Sequence, residues 1–298
     1  MSSTPDQLEL DLHGEEKSLP LPRLKLNDGN EIPMLAYGLG TADFKENGMP
    51  VNQIIVKLTT QAIKAGFRHL DSAEVDGNEE ELGLAINSAG VPRETLYIVT
   101  KLFNFHTNPK EAIEASLKRM ALEYVDLYLI HSPFHAGSNI KLQETWADFE
   151  DIKRSGKARS IGVSNFSQKH LETVLKTAII PPAINQIKHH PYLQQNDLLE
   201  FHRKHHIAVA AYGTLTPLTQ TIDGLIPSIW STMAAKYGVS EPVVGLRWGL
   251  EQDIVIITTT SQEQRMKEIV SRVTTFSLSE NDLEAINQAG QQQGFRGS

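Results

Sequence analysis

Eight short apolar runs, each set between stretches of helical periodicity, constrain this chain more than any other feature. The runs are 35–38, 69–73, 96–102, 125–131, 160–164, 183–189, 208–212 and 254–258. Each is four to seven residues long and mainly apolar, the pattern of a strand buried on both faces. Helical patterns occupy 51–65, 79–89, 109–122, 142–155, 168–177, 197–205 and 226–237. An extra helix is expected at 241–251 and another at 262–273. A closing helix is expected at 279–289, with Ser279 and Asp282 spaced to cap it. Parallel strands need such crossovers, and eight strand–helix units predict a single (β/α)8 TIM barrel of the α/β class. Ahead of it, Asn27-Asp28-Gly29-Asn30 separates 24–26 from 31–33. Asp-Gly supplies the positive φ of a tight turn, so an N-terminal β-hairpin is expected, placed to plug the barrel's bottom. Residues 1–19 show no periodicity and read as a flexible tail, leaving 20–298 as the barrel, with no second domain or low-complexity linker.

Composition removes several function classes. With 40% hydrophobic residues in 298, a large core can form. A net charge of −8 argues against a nucleic-acid or anionic-membrane surface. No apolar run reaches the roughly 18 residues of a membrane span, and the acidic start is unlike a signal peptide. The absence of cysteine rules out disulfide and thiolate chemistry and fits a cytoplasmic protein. The expected partner is a small molecule; oligomeric state is not legible.

Polar residues gather at the C-terminal ends of the strand candidates: Asp71, Lys101, His131, Ser164 with Asn165, Gln186, Tyr212 and the run 258–261. Core strands should not end in Lys and His unless those groups face a cleft, and seven such ends converging is the layout of a barrel active site. Taken alone, Asp71 reads equally well as part of a salt-bridged helix cap; the convergence tips the balance. Asp71 and Lys101 are expected to pair at the mouth, the Lys charge stabilising a nearby anion. His131 can donate to a carbonyl oxygen or oxyanion. Ser164, Asn165 and Gln186 suit a carboxamide, and Tyr212 offers a face for a heteroaromatic ring. A carboxamide on a stackable ring describes nicotinamide.

Other features are weaker. His202 and His206 have a metal-compatible spacing, but no carboxylate or cysteine cluster accompanies them, so a solvated helix end and no metal site are expected. Gly38-Leu39-Gly40 lacks the third glycine and following helix of a dinucleotide fingerprint. Trp146 is read as core, Phe103 and Phe134 as pocket wall, and Glu74 as a surface residue.

Six motifs together resemble the aldo-keto reductases over almost the whole chain. They are Gly66-Phe67-Arg68-His69-Leu70-Asp71-Ser72-Ala73, Thr100-Lys101-Leu102, Asp126-Leu127-Tyr128-Leu129-Ile130-His131, Ile161-Gly162-Val163-Ser164-Asn165-Phe166, Asn185-Gln186-Ile187 with His190-Pro191-Tyr192-Leu193, and Leu246-Arg247-Trp248. The resemblance implies a barrel that binds an extended NADP(H), with NAD(H) also possible, and has neither Rossmann domain nor metal. That family's chemistry uses an Asp, a Tyr, a Lys and a His; Asp71, Lys101 and His131 match three. Its cofactor contacts carry over to Gly40, Thr41, Asp71, Ser164, Asn165, Gln186, Tyr212, Leu215, Thr259, Arg265 and Glu268.

The fourth catalytic position departs. Where the resemblance implies Tyr, this chain has Asp76. The family's phenol, activated by Lys, is the acid that protonates the alkoxide left by hydride delivery. A phenol has a pKa of about 10 and an Asp about 3.9. Beside Lys101, Asp76 is expected to be still more acidic and an anion at neutral pH. An anion cannot donate a proton and repels an alkoxide, and the shorter side chain leaves a gap for water. Loss of a positioned acid costs about 10²–10⁴-fold, roughly 3–5 kcal/mol of barrier.

Further departures are Thr259 for the Lys that binds the 2′-phosphate, Ile269 for an adenine-side Asn, and Lys188 for a common Glu. The NADP preference is therefore open. The sequence ends at Ser298, short of the long loop that often closes the substrate pocket, which implies a wider, wetter pocket. Three readings follow. One is an NAD(P)H-dependent oxidoreductase acting on a carbonyl or alcohol, its proton supplied by His131 or by a water between Asp76 and Lys101. The second is a barrel repurposed for isomerisation, elimination or cyclisation, with Asp76 as base. The third is a nicotinamide-binding regulatory protein without turnover. The intact nicotinamide cradle favours the first.

Overall fold

The computed structural model describes residues 21–40, 43–46, 48–220 and 224–293. The expected tail lies outside them. A two-stranded antiparallel hairpin, β1 (Arg23–Lys25) and β2 (Glu31–Pro33), comes first. Gly29 takes φ +88° in its turn, as the Asp-Gly step requires. Asn27 donates to the Pro182 carbonyl, Asn30 to the Arg159 carbonyl and Ser160 hydroxyl, and Lys153 pairs with Asp28. These bonds fasten the hairpin to the ends where two barrel strands begin, so it does plug the bottom.

The barrel strands are β3 (Leu35–Gly38), β4 (His69–Asp71), β5 (Tyr97–Leu102), β6 (Val125–Ile130), β7 (Ala158–Ser164), β8 (Ile184–Lys188), β9 (Ala208–Tyr212) and β10 (Val255–Thr258). All are parallel, and β10 closes the ring by pairing with β3, Ile256 opposite Leu35. Every residue of β5 and β6 is buried, because the barrel interior lies on one face and the helices on the other. Regular pairing stops earlier than expected after β4 and β6. Ser72 N still donates to Val99 O and His131 N to Leu102 O, which carries the chain just past each strand into the mouth.

The helices are α1 (Gln53–Ala65), α2 (Glu79–Ala89), α3 (Pro109–Met120), α4 (Asn139–Arg154), α5 (Gln168–Leu175), α6 (Asn196–Lys204), α7 (Thr216–Thr219), α8 (Ile226–Tyr237), α9 (Glu241–Leu250), α10 (Glu263–Arg272) and α11 (Glu280–Gln293). Side-chain caps set several starts: Asn52, Asn108 and Ser138 accept from backbone N–H groups of the first turn, and Ser279 accepts from Asp282 N as expected. The single turn α7 has no sequence periodicity and was not anticipated. Trp146 is core, as expected: it is 1% exposed, stacks against Phe149 and donates to Ile180 O.

One expectation fails. His202 is fully buried rather than at a solvated helix end. Its Nε2 accepts from Asn185, whose amide also donates to Phe166 O, so the ring anchors α6 to the barrel wall. Burial lowers its pKa to about 4, which keeps the ring neutral. Among the described residues no group of three or more His, Cys, Asp or Glu could hold a metal, and no helix is long and apolar enough to cross a membrane.

Helices α2 and α3 are in tight contact at Gly83, where an added Cβ would lie 2.3 Å from Met120 O. Gly83→Ala is expected to force these helices apart and to lower stability by roughly 2–3 kcal/mol, read as a fall in the urea midpoint. An unchanged midpoint would contradict the packing.

Candidate active site

The mouth is organised by a buried ion pair. Asp71 is the last residue of β4 and Lys101 lies one residue from the end of β5. Lys101 Nζ donates to Asp71 Oδ1 at 2.5 Å and to the Ser72 carbonyl at 2.8 Å. Both side chains are nearly dehydrated. Buried charges survive only when their polar valences are filled, and the other Asp71 oxygen is filled by Gln186 Nε2 at 2.8 Å. Strands β4, β5 and β8 are thereby cross-linked.

A relay of neutral groups continues from there. Ser164 donates to Gln186 O, Asn165 Nδ2 donates to His131 O and Ser164 Oγ, and Tyr212 OH donates to Asn165 Oδ1 at 2.7 Å. Asn165 sits at φ +61°, a left-handed position that Asn tolerates. These residues line a cavity of about 740 Å³ together with Gly40, Asp76, Leu215 and Thr259. The structure thus brings most of the sequence candidates into one space. Arg265 and Glu268 are not among them: they lie on α10, where Arg265 is exposed and Glu268 accepts from Ser240 N. Thr41 and Ala42 lie outside the described residues.

Asp76 ends a 3₁₀ turn spanning Glu74–Asp76, its N bonded to Ala73 O and its O accepting from Lys45 N. It is 9% exposed. Gly40 lies alongside it: a Cβ there would stand 3.6 Å from Oδ2, an ordinary van der Waals contact. Its carboxylate has a backbone hydrogen bond from Ala73 and no ion pair among the described residues; two of the three Lys101 N–H donors go to Asp71 and Ser72. The expectation of an extra-acidic Asp76 is therefore wrong. Burial outweighs the Lys101 charge, Asp71 and Glu79 add repulsion, and the pKa is pushed up to about 6. His131 moves the opposite way: burial, then the Lys101 charge, hold it down at about 4 against the pull of Asp71. Its Nδ1 is buried with no hydrogen-bond partner among the described residues.

Phe103 and Phe134 do not wall the cavity. Phe103 stands edge-on to the His131 ring at 5.8 Å, while Phe134 is 74% exposed and packs on His170. Glu74 is half-buried rather than free at the surface and accepts from Phe103 N. Sequence reading missed Gly213, Thr214 and Thr216, which line the cavity after β9. The glycine directly after Tyr212, at φ +72°, was the available signal of a turn there. The donor set fits a nicotinamide. The Gln186 side-chain oxygen has no partner among the described residues and can accept from a carboxamide, beside hydroxyls, an amide and an aromatic ring.

Comparison with known proteins agrees with this layout. The profile of the Aldo/keto reductase family matches residues 36–291. The NAD/NADP-dependent indole-3-acetaldehyde reductase of Schizosaccharomyces pombe is 39% identical over 267 residues, covering 89% of this chain and 94% of that protein. The glyoxal reductase of Bacillus subtilis is 37% identical, covering 89% and 91%. An aldo-keto reductase of Bombyx mori, solved in complex with NADP, superposes with a TM-score of 0.81 at 33% identity, covering 93% of this chain and 95% of that one.

The folded-state pKa of Asp76 lies above its ordinary value of 3.8, so the folded protein binds the extra proton between about pH 4 and 6. Stability contributed by this group therefore falls as pH rises through that window, by roughly 2–3 kcal/mol in total. Asp76→Asn removes the penalty. Its stability relative to wild type should rise by about that amount between pH 4 and pH 7.5 in paired denaturation curves; a constant difference would refute the buried, unpaired carboxylate.

Proposed function

The chain belongs to the aldo/keto reductase family, and on that premise we propose that it is an NAD(P)H-dependent oxidoreductase for small carbonyl compounds in which Asp76 is the proton donor. The observation that carries this reading is the burial of Asp76 in the same cavity as Lys101 and His131, with its pKa raised to about 6. A carboxyl group tuned this far is a neutral acid in mildly acidic solution. It then neither repels an alkoxide nor lacks a proton to give.

The cofactor, when bound, supplies a hydride. Tyr212 would stack its ring and Ser164, Asn165 and Gln186 would hold its carboxamide. Gly40, Leu215 and Thr259 line the same cavity and would contact the rest of the dinucleotide. Arg265 and Glu268, on α10, remain candidates for its far end. Thr259 brings no charge to a 2′-phosphate, so both NADP(H) and NAD(H) are proposed.

The chain's own groups handle the oxygen. Neutral His131 donates a hydrogen bond to the substrate carbonyl. The fixed charge of Lys101, oriented by Asp71, stabilises the alkoxide as it forms. Asp76 passes its proton to that oxygen. The substrate is proposed to be small and polar, matching the hydroxyl- and amide-rich lining.

Reduced cofactor is expected to change protein fluorescence saturably; no change up to millimolar concentration would remove this reading. Aldehyde reduction is expected to rise as pH falls through about 6, because only protonated Asp76 is competent. Asp76→Tyr should raise the rate at pH 7.5 at least tenfold and abolish that rise. An equal or lower rate, with cofactor bound, would show that Asp76 does not stand in for the acid.

A further inference from the structure

We propose that the same cavity, with no cofactor, enolises small α-hydroxycarbonyl compounds, with the Asp76 carboxylate as base, His131 as neutral hydrogen-bond donor and Lys101 as the fixed positive charge. The inference rests on the division of labour between two carboxylates. Asp71 is engaged on both oxygens, by Lys101 on one and Gln186 on the other, and serves to hold the lysine in place. Asp76 faces the same cavity, held by the Ala73 backbone but with no side-chain hydrogen bond or ion pair among the described residues. It is a weakly solvated carboxylate, and no side-chain donor among the described residues needs displacing before it reacts.

The groups acting on Asp76 are Lys101, which favours its ionised form, and Asp71 and Glu79, which oppose it. Their balance, with burial, places the base near neutrality, where proton transfer is most effective. His131 is uncharged there, so it can polarise a carbonyl without neutralising the base. A carboxylate base, a neutral imidazole and an environment that separates their pKa values form a working pair for proton abstraction next to a carbonyl. The lining of Ser164, Gln186, Thr214 and Thr216 suits a hydroxylated substrate rather than an apolar one.

The step balances without oxidant or reductant. Asp76 removes the proton on the hydroxyl-bearing carbon. The C–H electron pair becomes a C=C bond, and the carbonyl π pair moves onto oxygen, which accepts from His131. Asp76 then returns its proton to the former carbonyl carbon. His131 passes the hydroxyl proton from one enediol oxygen to the other. Aldose and ketose forms interconvert with no change in formula.

The test uses full-length protein freed of nucleotide, with dihydroxyacetone as probe in D₂O, and follows loss of the CH₂ signal by proton NMR. Wild-type protein should exchange the probe at least tenfold faster than Asp76→Asn at neutral pH. The rate should rise with pH through about 6, opposite to the trend proposed for reduction. His131→Phe should lose most of the rate. Equal exchange by wild type and a folded Asp76→Asn, or exchange independent of pH between 5 and 8, would overturn the proposal. Reduced-cofactor binding is measured on the same samples. Binding without exchange sinks this inference alone, whereas exchange without binding supports it and sinks only the reductase reading.

Discussion

A lysine and an aspartate locked together out of water hold the mouth of this barrel in place. Taking both charges from solvent costs several kcal/mol each, and the pair persists only because the Ser72 carbonyl and the Gln186 amide fill the remaining valences. Removing either partner would leave a buried, uncompensated charge, a loss typically of about 3–5 kcal/mol. The pair therefore does two things at once. It ties β4 to β5 and, through Gln186, to β8, and it fixes where a positive charge sits. Asp76 and His131 both respond to that charge.

Asp76 shows the consequence. Reasoning from neighbours alone, a carboxylate near Lys101 should become more acidic. Lys101 directs two of its three donors to Asp71 and Ser72 and makes no side-chain bond to Asp76, which feels its charge through space, partly cancelled by Asp71 and Glu79. Dehydration then decides the sign. The same charge and the same burial act together on His131, where both disfavour the cation. The two groups end with pKa values of about 6 and about 4, so between them the carboxyl is protonated while the imidazole is neutral; above them the carboxyl becomes a base. On the proposed reading, Asp76 is thus a group whose role depends on pH.

Much of this was legible in residue types. The strand starts, the hairpin turn and most helix limits followed from alternation of apolar runs with capped helices, because a strand covered on both faces leaves little choice of composition. Asp71, Lys101, His131, Ser164, Asn165, Gln186 and Tyr212 stood out for the complementary reason: polar groups at the ends of such strands need a cleft. What failed had no local signature. His202 looked like a surface helix end in a run of basic residues, yet its ring fills a hole beside Asn185 that only β8 and α6 together create. Phe103 and Phe134 followed the mouth in sequence, but the short turns after β5 and β6 swing them past its rim.

By itself, the order of side chains determined the barrel, its bottom plug and the identity of nearly every polar group at its mouth, since burial on two faces and strand-end polarity are written into composition at short range. Which of those groups share hydrogen bonds, and therefore which carboxyl is ion-paired and which is not, was decided only by the tertiary structure. The reason is that desolvation and donor competition depend on atoms brought together from strands far apart in the chain, and no one-dimensional spacing encodes whether an ammonium's protons are already engaged.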